Sequence, residues 1–430
     1  MPGRTEQTQL IVFSDDWGRH PSSCQHLVRQ LMATRGPALA VTWVNTIGTR
    51  AVRWSWADVR RAAGKLAAAG KTASGERGGE TIPAFASLRR GLAGERAGIE
   101  VAPRVVSPLM WPGFRSRWQR RVNAAAMRRA VRRAAGPKRE GVSRVVLSTL
   151  PITADLVGPL DADRWVYMAV DDFSVWPGLD GSVMDAMERE QAARVDACVA
   201  AGETLRARLA GMGRAARVIT HGIDLDHWRQ PQHAPPAWTR GVAGQSVVFW
   251  GLIDARLDAG WCRRVVESTD GTLVLVGPIE GELAGSLRHE RIVTPGKADY
   301  AELPAIAAWA DVLVMPYVDA AVTRAMQPLK LKEYLATGTP AVVRDLPATR
   351  PWADACDVVG DAEAMVTAVQ ARLRTGLPPE QVEARRRLTR EAWAEKAGAL
   401  WAELTEDAGA SAGLDSNPPP RGLYTHSAAA

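Results

Sequence analysis

Short β-branched runs alternate with longer helical patterns from one end of this chain to the other, and few architectures accept that order. A strand followed by a helix before the next strand pairs in parallel, with the helix packed against the sheet. Leu10–Ser14, Leu39–Asn45, Val101–Val106, Arg144–Thr149, Trp165–Val170, Ala197–Ala201 and Ala216–Thr220 read as strands. Ser22–Met32, Asp58–Ala69, Arg115–Arg133, Met184–Val195 and Glu203–Leu209 read as the helices between them.

The alternation breaks at Arg229–Gln245, where proline and glycine concentrate and hydrophobic periodicity lapses, as in a linker. A second series follows, with strands Ser246–Trp250, Thr272–Val276, Arg291–Val293, Val312–Met315 and Ala341–Val343. Its helices lie near Asp258–Glu267, Tyr300–Trp309, Leu329–Thr337 and Asp361–Leu373. The expected organisation is α/β: a first doubly wound domain over 1–228, a linker over 229–245 and a second domain over 246–378. A last helix, within 379–405, is placed to cross back to the first domain, and 406–430 has the composition of a disordered tail. The 430 residues suffice for two cores. The Gly-rich loop Thr72–Thr81 reads as ordinary surface.

No apolar run is long enough to span a bilayer, Met1–Gln9 has no signal-peptide core, and a cytoplasmic location is expected. Cys24, Cys198, Cys262 and Cys356 are scattered, which argues against a disulfide framework or a zinc site. The net charge of +7 and pI near 9.5 point to anionic partners without choosing among them.

Two doubly wound domains in series place a ligand between them, beyond the carboxyl ends of the strands. The sharpest local signal lies there in the second domain. Strand Val312–Met315 ends in Pro316 and Tyr317, a loop passes Asp319 and Arg324, and Pro328 opens a helix. Its first turn offers free amides and a positive dipole end, with Lys330 beside it and Glu333 about one turn on. Gly338 can end the helix, and Thr339–Val343 feeds the next strand.

The segment PLKLKEYLATGTPAVV, Pro328 to Val343, resembles the nucleotide-sugar site of retaining GT-B glycosyltransferases of glycosyltransferase family 4. The resemblance implies a GT-B fold, two Rossmann-like domains facing a central cleft, with retention at the anomeric carbon and no bound metal. It also implies that Glu333 is the second glutamate of a Glu, seven residues, Glu motif, holding the ribose hydroxyls. The first glutamate would stand at 325, where this chain has Ala325; Asp319, Thr323 or Arg324 are the candidates to replace it. Gly251, followed by Arg256, is similar to a glycine-containing loop and a basic residue that reaches the donor diphosphate. An ion pair of Arg256 with Asp258 is the alternative reading. Gly251, Arg256, Arg324, Lys330, Leu331 and Glu333, with Gly18 across the cleft, form the expected nucleotide-sugar set.

In the first domain, Leu10–Ser14 opens into Asp15–Pro21, and Ser22 with Gln25 forms an expected capping box. With Trp43–Arg50, this stretch resembles bacterial transferases of the teichuronic-acid and capsule type. His26 and Arg19 are candidates for donor-phosphate or acceptor contacts. Asp171 and Asp172 end the run Trp165–Trp176 and are expected near the acceptor, with an N-cap or turn role as the alternative. His26, Asp171 and Asp172 are thus the candidate catalytic residues. His221-Gly222-Ile223-Asp224 is similar to the family's turn that ends the first domain.

Arg115, Arg117, Arg120, Arg121, Arg128, Arg129, Arg132, Arg133, Lys138 and Arg139 run without a carboxylate until Glu140. Phe114, Trp118, Val122 and Ala125 fall at helical spacing among them, which predicts a basic amphipathic face able to meet an anionic membrane. A solvated face, or a cleft for an anionic acceptor, is the alternative.

The expected activity is sugar transfer from a nucleoside diphosphate sugar, a co-substrate rather than a cofactor, to a lipid-linked or polysaccharide acceptor of the bacterial envelope. A nucleotide-sugar 2-epimerase of similar fold, or a non-catalytic nucleotide-sugar or glycan-binding subunit, are the alternatives. No nucleic-acid partner is expected, because the basic run lacks interleaved stacking aromatics.

Overall fold

The computed structural model describes residues 7–18, 22–46, 102–176, 178–229, 234–281 and 283–405. The expected helix Asp58–Ala69, the loop Thr72–Thr81, Arg19, Arg50 and the tail lie outside them.

Among the described residues, seven strands build the first sheet: β1 Gln7–Ser14, β2 Leu39–Asn45, β3 Arg104–Val106, β4 Val142–Ser148, β5 Arg164–Ala169, β6 Ala197–Ala200 and β7 Arg217–Val218. Their order is β3-β2-β1-β4-β5-β6-β7, all parallel. Period-two alternation sends Ile11 and Phe13 of β1 into one apolar layer and Leu10 and Val12 into the other. Both faces are therefore covered, as a parallel sheet requires.

Six more strands, β8 Ser246–Trp250, β9 Thr272–Val276, β10 Ile292–Gly296, β11 Val312–Met315, β12 Ala341–Arg344 and β13 Asp357–Val359, form the second sheet. It is parallel in the order β10-β9-β8-β11-β12-β13. In each sheet the order reverses once, between β1 and β4 and between β8 and β11. At such a switch point the flanking loops diverge and leave a crevice at the carboxyl ends of the strands. Asp15–Gly18 follows β1, Asp171 follows β5, and Gly251–Asp258 follows β8, so the topology brings all three to cleft-facing edges.

Among the described residues the chain passes between the domains twice, and the two passages lie side by side. Ile223 donates its amide to the Glu391 carbonyl (2.8 Å), and Trp393 donates back to Ile223 (3.3 Å). A Cβ on Gly222 would fall 2.5 Å from the Trp393 ring, so only glycine lets the passages meet. The expected single helix over Glu380–Leu404 is consequently broken. It becomes a helix Pro379–Arg385, a 3-10 turn Arg386–Glu391 and a helix Trp393–Thr405. Ala392, between them, is extended at φ −61° and ψ 146° and bridges to Ile223. Alanine-rich composition favours helix throughout, and the crossing overrides it. Beyond the break, Trp393, Ala397, Leu400 and Leu404 pack with Leu27, Leu31 and Trp43 on the first domain's core.

Candidate functional site

The second domain's half of the cleft begins where β8, buried along its whole length, runs out at Trp250. Gly251 follows at φ +132°, and a Cβ there would lie 2.7 Å from Lys330 Nζ. The backbone conformation calls for glycine, since L side chains avoid that φ, and its missing Cβ leaves room for the end of the Lys330 side chain. Lys330 sits in the first turn of the helix Leu329–Ala336. Its ammonium hydrogen-bonds the Tyr317 hydroxyl and lies 4.9 Å over the Phe249 ring and 5.0 Å over Tyr317. Aromatic faces attract such a cation without neutralising it.

Glu333, one turn later, accepts a hydrogen bond from Trp250 Nε1 at 2.9 Å. Burial raises its carboxyl pKa, against the Trp250 hydrogen bond and the Lys330 charge. Among the described residues Trp250 is its hydrogen-bond donor, so acceptor capacity remains for further donors in the cleft. Trp250 is braced by Tyr334 edge-on at 4.4 Å and by Trp228 stacked at 5.5 Å. Sequence reasoning passed over Trp250. Its one signal was its place, the last strand residue before a cleft glycine.

Arg256 lies in the loop after Gly251. Its partner is Asp254, contacted by Nε at 2.9 and 3.1 Å, and not Asp258. Asp258 caps the helix Ala259–Ser268 by accepting from the Trp261 amide. The Arg256 guanidinium lies 5.7 Å from the ring centroid of Trp176, which belongs to the first domain.

Two expected donor contacts are corrected. Leu331 is buried among the second domain's core residues, so its side chain faces away from the cleft, as its apolar spacing with Leu335 dictates. Arg324 is exposed and paired with Asp319, Nη2 to Oδ2 at 2.7 Å. Thr323 is fully buried, with its hydroxyl bonded to the Val318 and Ala320 carbonyls. Ala325 itself is buried, and none of the three candidates is left uncommitted to stand for the missing glutamate.

Across the cleft, Asp171 and Asp172 separate in role. Asp172 accepts from the Ser174 amide (3.0 Å) and hydroxyl (2.5 Å), which commits it to a turn, with Arg208 at 3.6 Å. The catalytic expectation for Asp172 is therefore corrected to a structural one. Among the described residues nothing hydrogen-bonds the Asp171 carboxylate. Burial pushes its pKa up to about 7, with Asp172 adding to the rise and Arg256 opposing it.

Gly18 and His26 also change meaning. Gly18, at φ +78°, donates its amide to Gln25 Oε1 (3.0 Å). Gln25 Nε2 donates to Asp15 Oδ2 (2.8 Å), so Gln25 ties down the loop instead of closing a capping box with Ser22. Only the forward half of that box forms, the Gln25 amide on Ser22 Oγ at 3.4 Å. His26 stacks on Trp393 at 4.6 Å with the rings 7° from parallel. Burial, with Arg29 and His227 nearby, lowers its pKa to about 4, so near neutral pH it offers no positive charge to a phosphate.

Lys332, which the sequence reading did not single out, locks the two passages together. It is buried, and it bonds the Thr220 hydroxyl (2.9 Å), the His221 carbonyl and Glu391. Glu391 also pairs with Lys396 at 2.9 Å.

Comparison with known proteins places this geometry. Residues 257–375 match the family model described as Glycosyl transferases group 1. A protein of Bacillus subtilis named as a teichuronic acid biosynthesis glycosyltransferase, TuaH, is 30% identical over 137 residues. That match covers 30% of this chain and 34% of the relative, about a third of its length. Among solved structures, sucrose-phosphate synthase from Thermosynechococcus elongatus superposes with a TM-score of 0.62 at 14% identity, covering 94% of this chain and 100% of that one. Anabaena HepE in complex with UDP-glucose gives 0.59 at 12% identity, covering 93% and 99%. These likenesses are of fold: two Rossmann-like domains about a cleft, the GT-B arrangement.

Proposed function

We propose that this chain, a GT-B protein with a group 1 glycosyl transferase domain, transfers a sugar from a nucleoside diphosphate sugar to an acceptor of the bacterial cell envelope. The observation that carries the reading is the preassembled group of Gly251, Lys330, Trp250 and Glu333 at the second sheet's switch point, with Asp171 of the first domain near enough to Arg256 for their charges to interact. HepE was solved with UDP-glucose and TuaH is named for teichuronic acid, which supports a nucleotide-sugar donor and an envelope acceptor.

In this reading Glu333 receives the ribose hydroxyls, and Lys330 and Arg256 hold the diphosphate. Both cations then stabilise the charge that grows as the diphosphate departs. The acceptor hydroxyl oxygen bonds to the anomeric carbon while the bond from that carbon to the phosphate oxygen breaks. The electron pair leaves with the nucleoside diphosphate, which also takes the hydroxyl proton, and Asp171 orients the hydroxyl. Retention and independence of metal are part of the proposal and rest on the family resemblance.

Isothermal titration with nucleoside diphosphates tests the site; binding by Lys330→Ala and Glu333→Ala as tight as by the parent would disprove it. Ala325 supports a second reading, a nucleotide-sugar-binding subunit without transfer. Incubation with a donor panel and envelope extract separates the two, because released diphosphate above the no-enzyme rate requires the transferase.

A further inference from the structure

The described surface carries a small apolar patch beside a row of arginines, at the rim of the first domain. Leu109 is 70% exposed, Trp118 51%, Trp111 47% and Val122 47%. The two indoles meet edge-on at 5.0 Å. Their backbone is held in place from beneath. Asn123, fully buried, accepts the Trp111 amide at 2.6 Å and donates to the carbonyls of Trp111 and Gly113 at 3.1 Å each. A complete capping box between Ser116 and Gln119 starts the helix Arg117–Ala135 next to them. Phe114, expected on the outer face, precedes that helix and is buried, so the exposed apolar set differs from the one helical spacing predicted.

The arginines divide in two. Arg115 pairs with Asp180, Arg120 with Asp155 and Glu190, and Lys138 with Asp163, all within the protein. Arg121, Arg129, Arg132 and Arg133 are exposed, and among the described residues no carboxylate pairs with them. At about 1.5 Å rise per residue, the helix from Trp118 to Arg133 extends the row over roughly 20 Å.

We propose that this face docks on the anionic surface of a lipid bilayer. Leu109, Trp111, Trp118 and Val122 enter the interface, and the arginine row lies along the headgroups. Indole rings favour that depth, and cations in a row complement a negatively charged leaflet. A polyanion without an apolar layer leaves the patch uncovered, and a second copy of the chain brings like charge against the row. The loop carrying Leu109 and Trp111 follows β3, so it leaves the parallel sheet at the same carboxyl end as Asp171, which follows β5. The Arg115–Asp180 pair ties it to the segment after Asp171. Docking thereby holds the cleft mouth near the bilayer, where a lipid-borne acceptor would arrive; that last consequence rests on the proposed transferase function, and the docking does not.

The test is flotation of the full chain with vesicles of equal phosphatidylglycerol and phosphatidylcholine, against phosphatidylcholine alone. The parent is expected to bind the anionic vesicles at least about tenfold better. The pair W111S/W118S and the triple variant R121E/R129E/R132E should each lower that binding by about tenfold or more, with thermal melting and nucleoside diphosphate binding unchanged. Equal recovery on both vesicle types overturns the proposal, as does full anionic binding by W111S/W118S. A dimer in sedimentation that W111S/W118S dissolves assigns the face to a second copy and also overturns it. Should the tryptophan pair melt early, the exposed arginine triple decides. Flotation that succeeds where nucleotide titration fails refutes the transferase reading alone.

Discussion

The two walls of the cleft are built on opposite plans. On the second domain, Lys330 and Glu333 are held by aromatic groups, Tyr317 and Trp250, that position them without neutralising them. On the first domain most polar groups are consumed by one another: Gln25 by Gly18 and Asp15, Asp172 by Ser174, His26 by its stack on Trp393. Asp171 is the exception. The nucleotide proposed for the second-domain wall is highly charged and rewards preset partners, whereas the opposite wall offers one carboxyl and a shaped surface.

The contrast is broken most directly by the double variant Lys330→Ala/Glu333→Ala. It should weaken nucleoside diphosphate binding by about 4 kcal/mol, on the order of a thousandfold by titration calorimetry. Asp171→Asn should leave that affinity unchanged while slowing transfer. If Asp171→Asn weakens nucleotide binding equally, the walls are not specialised. Next, Lys332→Met strips the buried cation from the interdomain lock but leaves Glu391 paired with Lys396. A loss of about 2 kcal/mol in urea unfolding is expected, with the domains' transitions drawn apart.

Asp171 also sharpens the comparison through pH. Its folded pKa of about 7 stands above the ordinary 3.8. The stability this group contributes is therefore complete below about 3.8 and is lost as pH rises through about 7. Relative to parent, Asp171→Asn should gain melting temperature between pH 5 and pH 8, by about 2 to 4 °C at the alkaline end. A constant difference across that range would show that Asp171 ionises freely. The smallest effect is expected at Arg324→Ala. A solvent-exposed pair with Asp319 contributes little to stability, so neither the melting temperature nor nucleotide binding should change measurably.

Much of the frame was legible because it depends on local patterns. Alternating runs marked the strands that became β8, β9 and β11 with their ends in place. Gly251, Lys330 and Glu333 could be singled out because strand end, helix start and one-turn spacing are readable in one dimension. Leu331 sits beside Lys330 in the motif, but its four-residue spacing to Leu335 turns it to the core, and that spacing outweighs adjacency to Lys330. The alternative reading of Arg256, a pair with Asp258, fails because Asp254 and Asp258 both lie two residues away, and sequence spacing does not say that Arg256 turns to Asp254 while Asp258 caps its helix.

The sequence by itself determined the parallel α/β layering and marked the strand end at Gly251 and the helix start before Lys330 and Glu333, carried by periodicity, glycine and proline. Tertiary structure alone decided which charges remain available. Pairing joins residues far apart in the chain, as Lys332 finds Glu391 and Arg120 finds Asp155, and no local pattern records a partner. It also broke the last helix at Ala392, because two passages between domains must hydrogen-bond to each other where helix propensity alone would have continued.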